Sequence, residues 1–379
     1  MGEEFRSRTL DELAHFINGY AFKPSDFTEN GLPVIRIQQL LDADAETDRF
    51  DGQIDSRFMI QTGDIVMSWS GTIAVVEWKR GDAWLNQHLF RVDPRDGVSR
   101  EFLRHLLSFA VDDLLRAAHG TTMKHITRAE LSRFVVLIPS LGEQRRIAEV
   151  LDTVEEGIQA TKRVISKISR IREATIDDLL SGLDPHLDSC LADVLQDPLC
   201  YGIVQVGEYV SEGIPVVAIR DLNGDFGLDL HRTSTTIDEQ YPRSRVQGGE
   251  VLLSIKGTIG KVGLVPRAFR GNISRDIALL RPNAKVKSAY LAHFLQSHEG
   301  QRRLRRIAVG TTRAELSIHA LRDVPVSVPD SSEQCLIAEI VGNLDAWQEE
   351  EFNRLSKLRQ LQKGLSADLI SGRVRTVAA

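Results

Sequence analysis

Cysteine is scarce in this chain of 379 residues, and long hydrophobic runs are absent. The three cysteines, Cys190, Cys200 and Cys335, are scattered and odd in number. They fit no zinc-binding spacing and predict ordinary core residues in a reducing compartment. No apolar run approaches the roughly 20 residues that a membrane-spanning helix needs. We therefore expect a cytoplasmic protein without a membrane partner.

The sequence also lacks the short motifs that carry catalysis. It contains no glycine-rich phosphate-binding loop, no His-Glu-x-x-His zinc motif, no Gly-x-Ser-x-Gly nucleophile turn and no Asn-Pro-Pro-Phe/Tyr methyltransferase motif. Its ten histidines do not cluster along the chain. We therefore expect a non-catalytic protein that needs neither a cofactor nor a metal.

Charge is distributed unevenly. The net charge is −6, which argues against a generally basic nucleic-acid-binding protein. Residues 201–330 nevertheless carry 18 Lys and Arg against 13 Asp and Glu, and a large part of that excess lies in the run RRLRR at Arg302–Arg306. Such a run is typical either of a contact to a phosphate backbone or of a solvated helix face.

The clearest positive signal is an internal repeat with a period of about 190 residues. The stretch SWSGTI at 68–73 recurs as SIKGTI at 254–259, and EQRRIAEVL at 143–151 recurs as EQCLIAEIV at 333–341. Other matches keep the same order, namely GLPVIRIQQL with GIPVVAIRDL, Asn86 with Asn272, GTT with GTT, and LLSG with LISG. A period of this length indicates a duplicated domain pair rather than a solenoid.

Each half predicts a globular part followed by a long helix. The globular part is rich in short β-type runs punctuated by Gly, Asp, Asn and Pro, with helical stretches near 101–119 and 288–307. We interpret it as a mixed α+β domain built around a curled sheet. The predicted boundaries are 1–140 and 183–330 for the globular parts, and 141–182 and 331–379 for the helices.

The long helices carry apolar residues at heptad spacing, from Ile147 to Ile168 and from Ile337 to Leu369. Neither helix buries such a stripe alone, so we expect the two to pair antiparallel. Trp347 and Phe352 are expected to compensate for polar residues in the second seam. A stiff spacer carrying two similar globular parts suits a partner with two separated sites, such as a DNA duplex.

The order and duplication of these motifs resemble the specificity subunits of type I restriction-modification enzymes. The resemblance covers essentially the whole chain and rests on INGYAFKPSDFTENGLPVIRI, YGIVQVGEYVSEGIPVVAIRDL, GDIVMSWSGTI with NQHLFRV, and GTTMKHITRAELSRFVVLIPSLGEQRRIAEVLDTVEEGI. It implies two target-recognition domains that read a bipartite, asymmetric target in double-stranded DNA. It also implies helices that dock two DNA adenine methyltransferase subunits, which restriction and translocation subunits join, while this chain performs no chemistry.

Polar residues on the repeated loops are the candidate DNA contacts, because hydroxyls, amides and cations suit phosphates and base edges. The first-half candidates are Ser68, Ser70, Thr72, Asn86, Gln87, His88, Thr121, Thr122 and Lys124. The second-half candidates are Ser254, Lys256, Thr258, Asn272, Ser274, Arg275, Arg302, Arg303, Thr311, Thr312 and Arg313. For each loop, the alternative is a turn that serves only the backbone.

Two further hypotheses concern protein partners. The outward faces of the helices are candidates for methyltransferase docking, with Arg145, Arg146, Arg163, Arg170 and Arg172 on the first helix. The alternative to DNA recognition is a coiled-coil scaffold whose globular parts bind proteins, in which case the loop residues have no role toward DNA.

Overall fold

The computed structural model describes residues 5–117, 125–183, 188–223, 226, 229–310 and 314–376. The chain divides into two compact units, unit 1 (Met1–Thr161 with Arg354–Ala379) and unit 2 (Lys162–Asn353). Each of the two long helices begins in one unit and ends in the other. Among the described helices, none has the length and apolar character that crossing a membrane requires.

Unit 1 contains short strands, eight of which form two four-stranded sheets, together with several helices. The strands are β1 (Arg6–Thr9), β2 (Ala14–Asn18), β3 (Leu32–Ile35), β4 (Arg49–Phe50), β5 (Met59–Ile60), β6 (Ile65–Ser68), β7 (Val75–Glu77), β8 (Ala83–Leu85), β9 (Leu89–Pro94) and β10 (Val135–Ile138). The helices are α1 (Leu10–Leu13), α2 (Ile37–Leu41), α3 (Arg100–Ala117), α4 (Arg128–Arg133) and the start of α5 (Leu141–Ser181). The sheets have the orders β2-β9-β6-β7 and β4-β3-β8-β5, and β1 pairs with β10.

Unit 2 repeats this topology strand for strand. Its strands are β11 (Asp188–Cys190), β12 (Cys200–Tyr201), β13 (Ile214–Val217), β14 (His231–Thr233), β15 (Arg245–Gln247), β16 (Val251–Ser254), β17 (Val262–Leu264), β18 (Arg270–Ile273), β19 (Ile277–Leu280) and β20 (Pro325–Ser327). Its helices are α6 (Thr235–Asp238), α7 (Ser288–Gln296), α8 (His298–Arg306), α9 (Ile318–Arg322) and the start of α10 (Ser331–Ile370). The sheets have the orders β12-β19-β16-β17 and β14-β13-β18-β15, and β11 pairs with β20. The predicted duplication is confirmed.

The central strands β6 and β16 are buried on both faces. Successive side chains of a strand point to opposite faces, and Ile65 and Met67 of β6 enter one core while Val66 enters another. In β16, Val251 and Leu252 divide between two cores in the same way. This explains why both strands are continuous apolar runs rather than alternating ones.

The helical stretch predicted near 288–307 is two helices, α7 and α8. The break falls at Ser297, whose Oγ accepts a hydrogen bond from the backbone N–H of Gly300 at 3.0 Å and so caps α8. A side chain at Gly300 would overlap the backbone of α7 at Phe294. The close approach of the two helices therefore depends on this glycine.

The long helices pack antiparallel, as the heptads predict. In unit 1 the N-terminal part of α5, with Ile147, shares a core with Leu369 near the end of α10. In unit 2 the C-terminal part of α5, with Ile176, shares a core with Ile337 and Val341 near the start of α10. Each helix is roughly 60 Å long. The predicted fold class, two mixed α/β repeats with paired long helices, is confirmed.

One detail of the second seam differs from the prediction. Trp347 and Phe352 do not fill the seam but are 47% and 52% exposed. The seam accommodates Gln348 differently, because its Nε2 donates a hydrogen bond to Ser169 Oγ of α5 at 2.5 Å. A polar seam residue that finds a partner needs no apolar substitute, which leaves the two aromatic rings on the surface.

Candidate nucleic-acid interface

Three segments of unit 1 meet beyond the end of strand β6. They are the β6–β7 turn at 68–74, the β8–β9 turn at 86–88 and the segment 125–127. The backbone N–H of Trp69 donates to His88 O at 3.3 Å, and that of Ile126 donates to Trp69 O at 2.9 Å. We call these residues loop cluster 1.

Unit 2 builds the same arrangement from the turns at 254–261 and 274–276 and the segment 314–316. The backbone N–H of Ile255 donates to Asp276 O at 2.8 Å, and that of Leu316 donates to Ile255 O at 2.8 Å. We call these residues loop cluster 2. The repeated SWSGTI and SIKGTI stretches thus occupy equivalent places in the two units.

The hydrogen bonds correct one sequence match. Asn86 donates its backbone N–H to Ile35 O at the end of β3 at 3.0 Å, and Ser274 donates its own to Val217 O at the end of β13 at 2.9 Å. Asn86 is therefore equivalent to Ser274, and the match of Asn86 with Asn272 is wrong. The spacing between equivalent residues of the two halves changes between the first turn and the β8–β9 turn. A constant spacing therefore misaligns the β8–β9 turn with its counterpart in unit 2.

The corrected register defines which residues of the two clusters are equivalent. Gln87 corresponds to Arg275, since their N–H groups donate to Tyr20 O and Ile203 O, each at 2.9 Å. His88 then corresponds to Asp276. The isolated bridges of Ser70 with His125 and of Lys256 with Glu315 make these two pairs equivalent as well.

The side chains of Ser68 and Ser254 make hydrogen bonds within their own turns. Both side chains are fully buried. The Ser68 hydroxyl donates to Thr72 O at 2.7 Å and accepts from the Ala74 N–H at 2.7 Å. Ser254 accepts from the Lys261 N–H at 2.8 Å. Both serine side chains are therefore engaged within their own turns.

Thr72 and Thr258 stand exposed at the turn tips. Each follows a glycine with a positive φ, 64° at Gly71 and 70° at Gly257, a conformation that L side chains rarely adopt. The repeated Gly-Thr pair thus shapes a tight turn that presents a hydroxyl to the surface.

The two asparagines face inward. Asn272 is fully buried; its Oδ1 accepts from Ser244 Oγ at 2.7 Å and its Nδ2 donates to Asp238 Oδ1 at 2.8 Å. Asn86 is also buried, and its Oδ1 accepts from the His88 N–H at 3.3 Å. Both amides are engaged within their own unit rather than presented to a base.

Loop cluster 1 carries aromatic rings, hydroxyls and amides and contains no Asp, Glu, Lys or Arg. The Trp69 ring neighbours two imidazoles, with centroid distances of 5.5 Å to His88 and 5.7 Å to His125. Its Nε1 donates to Gln87 O at 2.9 Å, and Ser70 Oγ lies 3.2 Å from His88 Nδ1. Sequence reasoning missed Trp69 and His125, although both stand inside the quoted motifs.

Loop cluster 2 carries charged pairs at the equivalent positions. Lys256 Nζ lies 3.0 Å from Glu315 Oε1, with side chains 41% and 53% exposed. Arg275 Nε lies 3.7 Å from Asp276 Oδ1, and both side chains are exposed. The Ser274 Oγ in the same cluster is buried and has no hydrogen-bond partner among the described residues. Sequence reasoning missed Glu315 and Asp276 because acidic residues are not expected on a surface that binds DNA, which is itself negatively charged.

Other predicted contacts fall outside these clusters. Arg302 pairs with Glu299 on the exposed face of α8, with two contacts of 2.6 Å. Arg303 is largely buried, bonded to Glu299 at 2.6 Å and Asp188 at 3.0 Å, and lies over the Phe294 ring. Arg303 therefore holds β11 to α8. Six predicted residues lie outside the described residues, namely Thr121, Thr122, Lys124, Thr311, Thr312 and Arg313.

One group of described residues has potential metal ligands close together. His105, Asp152 and Glu155 bring their ligand atoms within 4.8 Å of one another. Arg104 donates to Asp152 at 2.5 Å and to Glu155 at 2.6 Å, which offsets their charge. Burial, and the cation of Arg104, lower the pKa of His105. The group forms an ion-pair network that ties α3 to α5.

Comparison of the chain with known proteins identifies similar sequences along most of its length. The sequence profile described as "Type I restriction modification DNA specificity domain" matches residues 2–170 and 205–360. The EcoBI specificity subunit of a type I restriction enzyme from Escherichia coli is 28% identical, over 96% of this chain and 85% of that protein. The MjaVIII specificity subunit from Methanocaldococcus jannaschii is 18% identical, over 98% of this chain and 93% of that protein.

Solved structures show the same fold. The type I restriction-modification S subunit from M. genitalium matches with a TM-score of 0.62 at 17% identity, covering 97% of this chain and 96% of that one. A chain from a study of type I restriction-modification complex assembly matches with a TM-score of 0.56 at 18% identity, covering 98% of both chains. The resemblance expected from the repeated motifs is confirmed: this chain belongs to the type I restriction-modification DNA specificity family, whose named members are specificity subunits.

Proposed function

We propose that each unit reads one half of a bipartite, asymmetric sequence in double-stranded DNA through its loop cluster. One observation carries this proposal: the two loop clusters share their backbone hydrogen bonds but differ in the side chains at equivalent positions. The same backbone hydrogen bonds build both clusters, while Ser70, Gln87 and His88 in one correspond to Lys256, Arg275 and Asp276 in the other. Two loop clusters with the same backbone arrangement but different side chains suit two half-sites of different sequence.

The contacts divide into two kinds. The exposed hydroxyls of Thr72 and Thr258 at the turn tips suit phosphate oxygens, which fix register without reading sequence. The exposed amide of Gln87 and guanidinium of Arg275 suit base edges, since glutamine pairs with adenine and arginine with guanine. The GTT segments at 120–122 and 310–312 lie shortly before the third segment of each cluster in the sequence. Their proposed phosphate contacts remain part of this set.

The proposed partners are two DNA adenine methyltransferase subunits, joined by restriction and translocation subunits. Exposed apolar side chains on the long helices support a protein-docking role. They include Val150 and Leu361 in unit 1 and Ile171, Leu336 and Trp347 in unit 2. The chemistry resides in those partners, and we propose that the complex acts in the cytoplasm.

The arginines predicted for docking are not equivalent. Arg172 pairs with Asp345 and Gln296, and Arg146 donates to Thr376 at 3.3 Å. These two side chains therefore hold the chain's own structure. Arg145, Arg163 and Arg170 are exposed and remain the charged candidates for a docking surface.

A net charge of −6 gives little electrostatic attraction to DNA for the isolated chain. We therefore expect tight binding only in the complex with methyltransferase subunits. Single-molecule sequencing of methylated DNA from cells carrying the system tests the proposal directly. The expected result is methylated adenine in a two-part motif with a fixed spacer, whose length we expect the long helices to set. One uninterrupted motif, or none, would contradict it.

Domain exchange separates this proposal from a protein scaffold. Replacing residues 183–330 with the corresponding segment of another family member is expected to change one half of the methylated motif and leave the other half intact. A scaffold predicts an unchanged motif. The reciprocal exchange of residues 1–140 serves as the matched control, because it should change the opposite half.

A further inference from the structure

The two cation–carboxylate pairs of loop cluster 2 need an explanation beyond stability. Lys256 with Glu315, and Arg275 with Asp276, are solvent-exposed pairs, and exposed pairs contribute little to folding. Two carboxylates also stand on a surface proposed to face a polyanion, where negative charge opposes binding. Loop cluster 1 is built with the same backbone bonds and has Ser70 and His125 in place of Lys256 and Glu315. The fold therefore does not require this lysine and this carboxylate.

Carboxylates on a DNA-reading surface do have one favourable use. A carboxylate oxygen accepts a hydrogen bond from the exocyclic amino group of a base, whereas it repels an acceptor at the same place. Such a residue weakens binding to wrong sequences more than it strengthens binding to the right one. The carboxylate thus discriminates at the base edge, although its charge weakens the attraction to the phosphates of every sequence equally.

The chemistry of the Lys256–Glu315 pair suits a G·C base pair, because lysine usually pairs with guanine and glutamate with cytosine. In the major groove a G·C pair presents the guanine O6 and N7 acceptors beside the cytosine N4 amino donor. An ammonium has three donors and a carboxylate about four acceptor positions, so the 3.0 Å contact between Lys256 Nζ and Glu315 Oε1 leaves both groups able to bond further. The backbone bridge between the two residues places one donor side chain beside one acceptor side chain in the cluster.

We propose that Lys256 and Glu315 together read a G·C base pair in the half-site of unit 2, with the lysine on guanine and the glutamate on the cytosine amino group. This assignment rests on the proposed function. The equivalent positions in unit 1, Ser70 and His125, carry no such charged pair, so the half-site of unit 1 is not read by this means.

The test compares Glu315→Gln and Lys256→Met with the wild-type chain, each in complex with its methyltransferase subunits. The half-site belonging to unit 2 is first assigned by exchange of residues 183–330. Methylation rates are then measured on the wild-type target and on duplexes in which each G·C pair of that half-site is changed in turn. Glu239→Gln, which removes an exposed carboxylate outside the cluster, is the matched control.

Both variants are expected to lower the preference for one G·C pair by on the order of 10-fold, at the same position, and to leave every other position unchanged. Glu239→Gln is expected to leave all preferences unchanged. An equal fall in rate on all duplexes, or relaxation at a position in the other half-site, would overturn the assignment. If wild type itself methylates no two-part motif, the proposed function fails instead, which distinguishes the two failures.

Discussion

Gln144 and Gln334 make the same three hydrogen bonds at the start of the two long helices. The Oε1 of Gln144 accepts from the backbone N–H of Ser99 at 2.8 Å, and its Nε2 donates to Gly97 O at 3.1 Å and to Pro139 O at 3.0 Å. The side chain is buried. It therefore fastens α5 both to the strand end before it and to the loop that begins α3.

Gln334 repeats this arrangement in unit 2. Its Oε1 accepts from the Lys287 N–H at 2.8 Å, and its Nε2 donates to Lys285 O and Pro329 O, each at 2.9 Å. The repeated Glu-Gln pair in the sequence thus has a physical reason. A buried amide that satisfies one backbone donor and two backbone acceptors fixes the direction in which each long helix leaves its domain.

Replacing either glutamine by leucine is expected to destabilise its unit. Gln144→Leu leaves the buried N–H of Ser99 and the buried carbonyl of Pro139 without this partner, which should lower the free energy of unfolding by about 2–4 kcal/mol. Urea denaturation followed by circular dichroism measures this, with Gln360→Leu on the exposed face of α10 as the control. Equal stability of Gln144→Leu and Gln360→Leu would contradict the anchoring role.

Two glycines are expected to tolerate no side chain. A Cβ at Gly19 would overlap Leu85 O, and one at Gly202 would overlap Ile273 O, because the chain crosses there against the end of a strand. Gly19→Ala and Gly202→Ala should therefore lower the unfolding free energy by about 1–3 kcal/mol. Gly364→Ala, in the open on α10, should instead raise it by about 0.5–1 kcal/mol. A thermal melt showing the same sign for all three would disprove the steric argument.

Substitution of a turn serine is expected to change stability, whereas substitution of a threonine at a turn tip is expected to change DNA binding. Ser68→Ala should destabilise unit 1 by about 1–2 kcal/mol, since it leaves the Ala74 N–H unpaired, while the methylated motif stays the same. Thr72→Ala should leave the melting temperature unchanged and weaken DNA binding by the complex uniformly across sequences. Salt-dependent binding together with melting curves measures both. A changed motif in Ser68→Ala would contradict our assignment of that hydroxyl to the turn.

Gln87→Ala and Arg275→Ala are expected to affect opposite halves of the target. Each removes an exposed donor from one loop cluster, so each should relax one position by about 1–3 kcal/mol of discrimination. Sequencing of methylated DNA from cells with each variant reports which half relaxes. Relaxation of the same half by both variants would rule out one reader per unit.

Acid stability is expected to depend on the ion pair of Glu143 with Arg375. The guanidinium donates to the two carboxylate oxygens at 2.7 and 2.6 Å and holds the pKa of the Glu143 carboxyl below its usual range. Because the folded pKa is lower than the unfolded value of about 4.3, the contribution to stability is full above that pH. It is lost as the pH falls through the folded pKa.

Arg375→Met should therefore be less stable than wild type above about pH 5, and the difference should shrink as the solution is acidified. Urea denaturation from pH 7 to pH 3 measures it. Arg373→Met, which breaks an exposed pair with Asp368, is the control and should change little. A wild-type advantage that grows on acidification would contradict the sign.

Much of the fold could be predicted because its signals are local. The heptads that run from Ile147 and from Ile337 required a partner helix, and the structure supplies it. The exposed Trp347 could not be predicted, because Gln348 found a hydrogen bond across the helix pair. A helix pattern shows which side chains lie on one face, and not which polar ones the opposite helix satisfies.

Amino-acid order alone determined the duplication, the mixed α/β class, the long paired helices and the family, since repeats and periodicities are written along the chain. Tertiary structure alone decided which loop residues face outward. Ser68 and Asn272 look like contacts in the sequence, but their side chains are buried and make hydrogen bonds inside their own units. His125 and Glu315 reach the loop clusters only because the fold pairs them with Ser70 and Lys256, residues far away in the chain. Burial and pairing depend on which distant segments meet, and no local pattern records that.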